Sequence, residues 1–413
     1  MLHCGARFLH RRVLTLWSPQ VLTQKSSSSK TVPETASKKP QSSSSSLNLD
    51  DGKVFRLKTK WELSRGLLVF FLCSSPWLVQ KLLSFTRRIL GRRLWTSALR
   101  LTLYGQFVAG ETHKEIKETL QRLQHLGVRP LLAVPIEEDV GEEKEGEGWY
   151  DKNAQSMITC LDLSVGGAPN PMMQLKVTAL MAAELCVSTV GCIKQQLLGY
   201  AVEKGVRVLV DAEYTYINPA LTLVTIAMMA TWNTQKPWIS NTYQAYLKDT
   251  LERLKQDVAL AERLGVCFGV KLVRGAYLNK ERKLAKEKGY PDPVQPSWEA
   301  TNERCGFFRE NCSSVLNLGS VRLCATLRFL LGISFGGSVV RVFGQLLGMC
   351  DQVSLALGQA GYAIYKSIPY GSVEEVIPYL IRRAHENQSV LLGIRKERDL
   401  LRLELWRRIL RRP

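Results

Sequence analysis

From about residue 128 onward one hydrophobic pattern recurs: a short apolar run that turns polar at its end, then a stretch with apolar positions three or four apart. The runs are RPLLAVPIEE, MMQLKVTAL, VRVLVDAEY, PWISNTYQAYL, CFGVKLVRGAYL, VVRVFGQLLGM and AIYKSIPYG. Near-continuous apolar runs of this length suit strands buried on both faces. The clearest helix between them is LKDTLERLKQDVALAERLG (247–265), where Leu251, Leu254, Val258 and Leu264 form an apolar stripe. Strand–helix alternation sustained over about 260 residues predicts a parallel sheet with helices outside. No GxGxxG follows the first strand, so the pattern predicts a closed (βα)8 barrel rather than an open dinucleotide-binding sheet.

The polar ends of these runs are Lys176, Asp211 with Glu213, Gln244, Lys271 with Arg274 and Tyr277, Gln345, and Ser367 with Tyr370. In a (βα)8 barrel the C-terminal strand ends ring one mouth, where sites are built. A single such lysine is more often structural than catalytic; the repetition along the chain is what points to a site. Near the C-terminus, YLIRRAHEN (379–387) adds adjacent arginines, Arg382 and Arg383. Successive helical residues point about 100° apart, so the pair is either a solvated basic face or a clamp gripping one carboxylate from two directions.

No strand-end histidine stands ready to activate Ser367 or Thr178. Asp211 and Glu213 lie too close in sequence to flank a glycosidic bond from opposite sides. The ten cysteines are scattered without a CxxC, and the five histidines show no ligand spacing, so no metal is expected. A cation-rich mouth lacking nucleophile, base and metal points to a bound organic cofactor as the reactive group.

VRVLVDAEYT, FGVKLVRGAYL, FGQLLGMCDQVSLALGQAGYAIYKSIPYG and YLIRRAHEN resemble the signature segments of the proline dehydrogenase family, over residues 95–304 and 341–410. The resemblance implies an α/β fold, a distorted (βα)8 TIM barrel with N-terminal helices, and FAD as cofactor. It is closest to the family's hydroxyproline-oxidising, mitochondrial branch, which passes electrons to ubiquinone. It assigns the carboxylate of a five-membered imino acid to Lys176, Arg382 and Arg383. Tyr277 and Tyr379 are assigned to the pocket wall, Leu346 to the ring, and Asp211 to the polar network around Tyr277. Gln244, Lys271, Gly275 and Ala276 match FAD-contacting positions, and Glu386 matches one near the ribose.

Ser367 stands where proline-preferring relatives commonly carry tyrosine, which implies trans-4-hydroxy-L-proline as substrate; plain enlargement of the pocket, with proline still used, is the alternative. Between Asn302 and Arg341 the chain departs from the family, lacking the His-Asn pair that ends the sixth strand and contacts the flavin. The sixth strand is therefore expected to be missing or remodelled, with a flavin-poor, inactive barrel as the competing outcome.

Charge completes the picture. The net charge of +19 concentrates at the ends, +8 within residues 1–60 and +5 within 391–413. Without zinc-finger spacing, an RNP-like segment or a basic zipper, this favours targeting and a membrane surface over nucleic acid. Residues 1–24, Arg-bearing and acid-free, fit a mitochondrial transit peptide. Residues 25–54 read as a disordered linker, 55–127 as an N-terminal helical region and 128–390 as the barrel carrying FAD and substrate. The run 66–80 is too short to span a bilayer. Residues 391–413 form a basic amphipathic helix with Leu401, Leu405 and Ile409 on one side, resting either on the matrix side of the inner membrane or on the barrel.

Overall fold

Eight strands close into a barrel in chain order: β1 (Arg129–Ala133), β2 (Met172–Leu175), β3 (Arg207–Val210), β4 (Ile239–Gln244), β5 (Gly269–Val273), β6 (Phe329–Phe335), β7 (Ser338–Leu346) and β8 (Ile364–Pro369). Seven run parallel, and β6 is antiparallel to both neighbours. The ring shuts where β1 pairs with β8, from Arg129 opposite Tyr365 to Ala133 opposite Pro369.

The computed structural model describes residues 51–73, 76–136, 147–180, 193–275, 277–311, 329–335, 338–386 and 391–410. Side chains are described over the same ranges except at 76–84, 87, 147, 193–196, 305–311, 329–335, 338–341, 382–386 and 391–394. The described residues all fall within one compact unit, 45–413. The expected transit peptide, most of the linker and the acidic stretch at 137–146 lie outside the described residues.

Ahead of the barrel come α1 (Lys60–Cys73), α2 (Pro76–Leu99), which breaks at Gly91 (φ 66°), and α3 (His113–His125). A reciprocal cap starts α3: the Thr112 side chain accepts from the Glu115 N–H, while the Glu115 carboxylate accepts from the Thr112 N–H. Crossover helices α4 (Glu147–Val165), α5 (Ile193–Glu203), α6 (Asn218–Trp232) and α7 (Thr250–Leu264) join successive parallel strands, followed by α8 (Leu278–Lys288) and α9 (Trp298–Asn311). Then come α10 (Asp351–Gln359), α11 (Val373–Glu386) and α12 (Leu391–Leu410). The main core lies between sheet and helices, with Leu161, Val210, Met229, Leu254 and Ile368 among its members. Asn233 ties two strand starts together: its amide nitrogen donates to Ile239 O and Cys267 O, and its amide oxygen accepts from the Ile239 N–H.

The sixth slot is filled, but in reverse. Phe329 lies opposite Val273 and Ile333 opposite Gly269, so β6 begins at the mouth and descends to the floor. Phe335 pairs with Ser338, leaving only Gly336 and Gly337 between the strands. A two-residue Gly-Gly connection favours a hairpin, whereas a parallel β6–β7 pair needs a crossover of a dozen or more residues. The sixth strand is thus remodelled rather than lost.

Among the described residues no helix is long and apolar enough to cross a membrane. On α12, Leu401 is buried and Leu405 half-buried against the core, while Ile409 is exposed. Packing on the body of the protein, not lipid, therefore covers Leu401 and Leu405. Buried Glu404 accepts from Arg408, whose guanidinium also reaches Phe55 O and Lys58 O, joining α12 to the segment before α1.

Candidate active site

Strand parity decides which side chains face the barrel axis. Leu131, Met172, Leu209, Val342 and Tyr365, from five strands, pack on one another as the inner layer. Residues two apart on a strand share a face, so Gln174, Leu346 and Ser367 also point inward, closer to the mouth. Two hydrogen bonds each span an intervening strand at this level. Ser367 Oγ donates to Gln174 Oε1 at 2.7 Å, from β8 to β2 across β1. Lys271 Nζ donates to Asp211 Oδ1 at 2.5 Å, from β5 to the end of β3 across β4. Alternate strands supplying one layer is how such barrels fill their interior.

The mouth between β2 and β5 is a connected polar network. Thr178 donates to the buried Glu213 carboxylate, 2.7 and 3.0 Å from its two oxygens. Gln244 Nε2 donates to Glu213 O at 2.8 Å. Asn218 clamps the same residue, accepting from its N–H at 2.7 Å and donating to its carbonyl at 2.9 Å. Glu281 of α8, fully buried, accepts from Thr215 N and Thr215 Oγ1. These bonds fix the segment after β3 that carries Asp211, Glu213 and Tyr214. The Tyr214 and Tyr277 rings lie 4.5 Å apart at a 41° tilt, an aromatic wall at the mouth.

Gly275 has φ 128°, a region that disfavours side chains. A Cβ there would stand 1.5 Å from the Tyr246 ring, so only glycine lets the chain pass from Arg274 to Tyr277. Arg274 donates to Asn302 Oδ1 at 3.0 Å and lies over the Trp298 ring. Lys176 follows β2 directly and is half-buried. Tyr379 on α11 is half-buried as well. Arg382 and Arg383 stand three and four residues further along that helix; their side chains and that of Glu386 lie outside the described residues, as does Ala276.

Sequence reasoning missed Gln174, which holds Ser367, and weighed Thr178 only as a nucleophile, whereas its hydroxyl is bonded to Glu213. It also missed a buried charged group behind the wall. On the outer side of β8, Lys366 donates to Leu346 O (3.0 Å) and Met349 O (2.7 Å), and pairs with Asp351 at 2.7 Å. Asp351 pairs in turn with Lys58 at 2.5 Å. The Glu397 carboxylate of α12 accepts from the Cys350 and Asp351 N–H groups, both at 2.8 Å. Lys366 and Lys58 hold Asp351 well below the usual carboxylate range against the pull of its burial, whereas burial, then Asp351, pushes Glu397 up to about 7. The loop that follows Leu346 is thereby tied to α12 and to the segment before α1. Burial also raises the Tyr246 and Tyr370 phenols, the latter donating to Ser156 O at 3.2 Å. Among the described residues no group of side chains could hold a metal ion.

The sequence profile of the family described as proline dehydrogenase matches residues 116–396. The chain is 50% identical to the hydroxyproline dehydrogenase of Xenopus laevis, covering 88% of this chain and 90% of that one. It is 46% identical to the hydroxyproline dehydrogenase of Homo sapiens, over 87% and 93%, and 30% identical to human mitochondrial proline dehydrogenase 1, over 86% and 88%. Among solved structures, proline utilization A from Bdellovibrio bacteriovorus superposes with a TM-score of 0.59 at 18% identity, a likeness of fold. It covers 79% of this chain and 41% of that longer one.

Proposed function

The chain belongs to the proline dehydrogenase family, and on that premise we propose that it oxidises trans-4-hydroxy-L-proline to 1-pyrroline-3-hydroxy-5-carboxylate, with FAD bound in the barrel mouth and ubiquinone as the final acceptor at the matrix side of the mitochondrial inner membrane. The observation that carries the substrate assignment is the Ser367–Gln174 hydrogen bond on the inner wall. A serine hydroxyl is one donor with two acceptor lone pairs. With its proton committed to Gln174 Oε1, Ser367 Oγ is left as an acceptor, the role a hydroxyl on the substrate's far ring carbon requires. Relatives named hydroxyproline dehydrogenase at 45 to 50% identity support the same reading.

The donor chemistry of the mouth fits a flavin. Gln244, at the upper end of β4, and Lys271, within β5, are buried polar side chains on the axial face, the types that bond a flat ring whose edge alternates carbonyls and nitrogens. Bound there, the flavin would accept a hydride from the ring carbon beside the substrate nitrogen. The protein's own part is placement. Lys176, Arg382 and Arg383 hold the carboxylate, Leu346 packs on the ring, Tyr277 and Tyr379 wall the pocket, and Asp211 fixes the Lys271 ammonium. Gln244, Gly275, Ala276 and Glu386 serve the cofactor. Positioning of this kind lowers a barrier by several kcal/mol without any acid–base residue. The substrate nitrogen must carry a free lone pair, so turnover rises with pH.

The reversed β6 favours a second reading, a barrel that holds flavin poorly, because a descending strand brings its N-terminal rather than its C-terminal end to the mouth. Flavin absorbance of the purified protein, before and after hydroxyproline, tests both. A yellow protein bleached by hydroxyproline faster than by proline is expected; a colourless protein establishes the second reading, and faster bleaching by proline overturns the substrate.

A further inference from the structure

Exposed apolar side chains are unevenly spread over this protein. Thirteen of the twenty exposed large ones described lie within residues 57–101 and 403–410, and the remaining seven are scattered. On α1 they form a stripe, Trp61, Leu68 and Phe71 at 55%, 46% and 62% exposure, on the side opposite buried Leu63, Val69 and Phe70. On α12 the stripe is Leu403, Trp406 and Leu410, at 59%, 60% and 74%. Helix α2 adds Phe85, Ile89 and Leu94, each above 60%. Helices α1 and α12 lie against each other, Gly66 meeting the Leu401 side chain and Arg408 reaching Lys58 O, so their outer stripes belong to one side of the molecule. Clustered exposed apolar side chains of this kind mark an interaction or membrane-contact site.

The residues interleaved with the stripes identify the partner. Lys60 precedes Trp61, Arg88 precedes Ile89, Arg93 precedes Leu94 and Arg402 precedes Leu403, and all four cations are exposed. Aromatic and branched side chains alternating with cations on helices too polar to span suit the headgroup boundary of an anionic bilayer. We infer that the outer face of α1 and α12 docks on an anionic lipid surface, lying in its plane without crossing it. This deepens the membrane contact of the proposed function and rests on that reading for its biological setting alone. The face is not the one the sequence suggests for α12, since Leu401 and Leu405 are taken up by internal packing.

The test uses the full chain, sedimented with vesicles of phosphatidylcholine alone or mixed with phosphatidylglycerol. Binding that requires the anionic lipid and falls with added salt is expected. Trp61→Glu with Phe71→Glu, or Leu403→Glu with Trp406→Glu, reduces the partition about tenfold or more. Leu223→Glu on α6, equally exposed but isolated, leaves it unchanged. All variants keep the wild-type thermal midpoint and turnover with a soluble dye acceptor, so lost docking is separable from a lost enzyme. Absence of binding to anionic vesicles, or equal binding by wild type and the double variants, overturns the inference. So does a wild-type dimer that the same substitutions dissolve, for the occupant is then a second copy.

Discussion

Lys271 Nζ meets Asp211 Oδ1 at 2.5 Å across an intervening strand, with the lysine side chain 4% exposed and the aspartate 34%. The two ends are unequal: removing the aspartate strands a buried cation, whereas removing the lysine leaves a carboxylate that water reaches. Asp211→Asn is therefore expected to cost about 2 kcal/mol, and Lys271→Met less than half of that. Urea unfolding measures both; equal costs would show that burial does not set the asymmetry.

Ser367→Tyr places a ring where a hydroxyl now bonds Gln174. A site built around a hydroxyl loses discrimination when that group goes. The ratio of kcat/KM for hydroxyproline over proline is expected to fall at least about tenfold. Ser367→Ala leaves the half-buried Gln174 acceptor without its donor and costs about 1 kcal/mol in thermal or urea unfolding.

Arg382→Met or Arg383→Met removes a charge-assisted bond to the carboxylate. Each is expected to raise KM by about ten- to a hundredfold, corresponding to 1.5–3 kcal/mol, and to lower kcat far less unless the ring also shifts. A KM unchanged by both substitutions would refute the clamp.

Glu397 introduces a pH dependence of stability. Its folded pKa, about 7, is raised above that of an exposed glutamate by burial and then by Asp351. From the ordinary glutamate range up to about pH 7 the folded state therefore holds a proton that the unfolded chain has released. Stability falls as pH rises through that window and is level above it. The unfolding free energy from urea titration is expected to drop on the order of 2 kcal/mol between pH 5 and 7, and Glu397→Gln to flatten this slope. Asp351, shifted the other way by Lys366 and Lys58, contributes stability that disappears only in acid, below the usual aspartate range.

Gly275→Ala forces a methyl into the Tyr246 ring at a backbone angle that disfavours any side chain. A loss of about 3 kcal/mol or more is expected, with flavin content falling in parallel.

The seven parallel strands were legible because each is a buried apolar run ending in a polar residue, and parity then places Lys271 and Ser367 on the inner wall. The direction of β6 was not. FLLGISF has no polar end to mark which way it runs, and only its pairing with β7 across two glycines decides. Gln174 escaped notice because it sits inside an apolar run rather than at its end. The Lys58–Asp351–Lys366–Glu397 group was illegible for another reason: its members are far apart in the chain and meet only when α12 and the segment before α1 dock.

The β6–β7 hairpin also bears on how the ring assembles. Every other seam joins strands that must first wait for a long intervening segment to close, a slow search. This one joins residues three apart, a step completed in about microseconds. A probe on the β6–β7 pair is therefore expected to report its formation ahead of the other seams, at a rate that lengthening the chain ahead of Phe329 leaves unchanged.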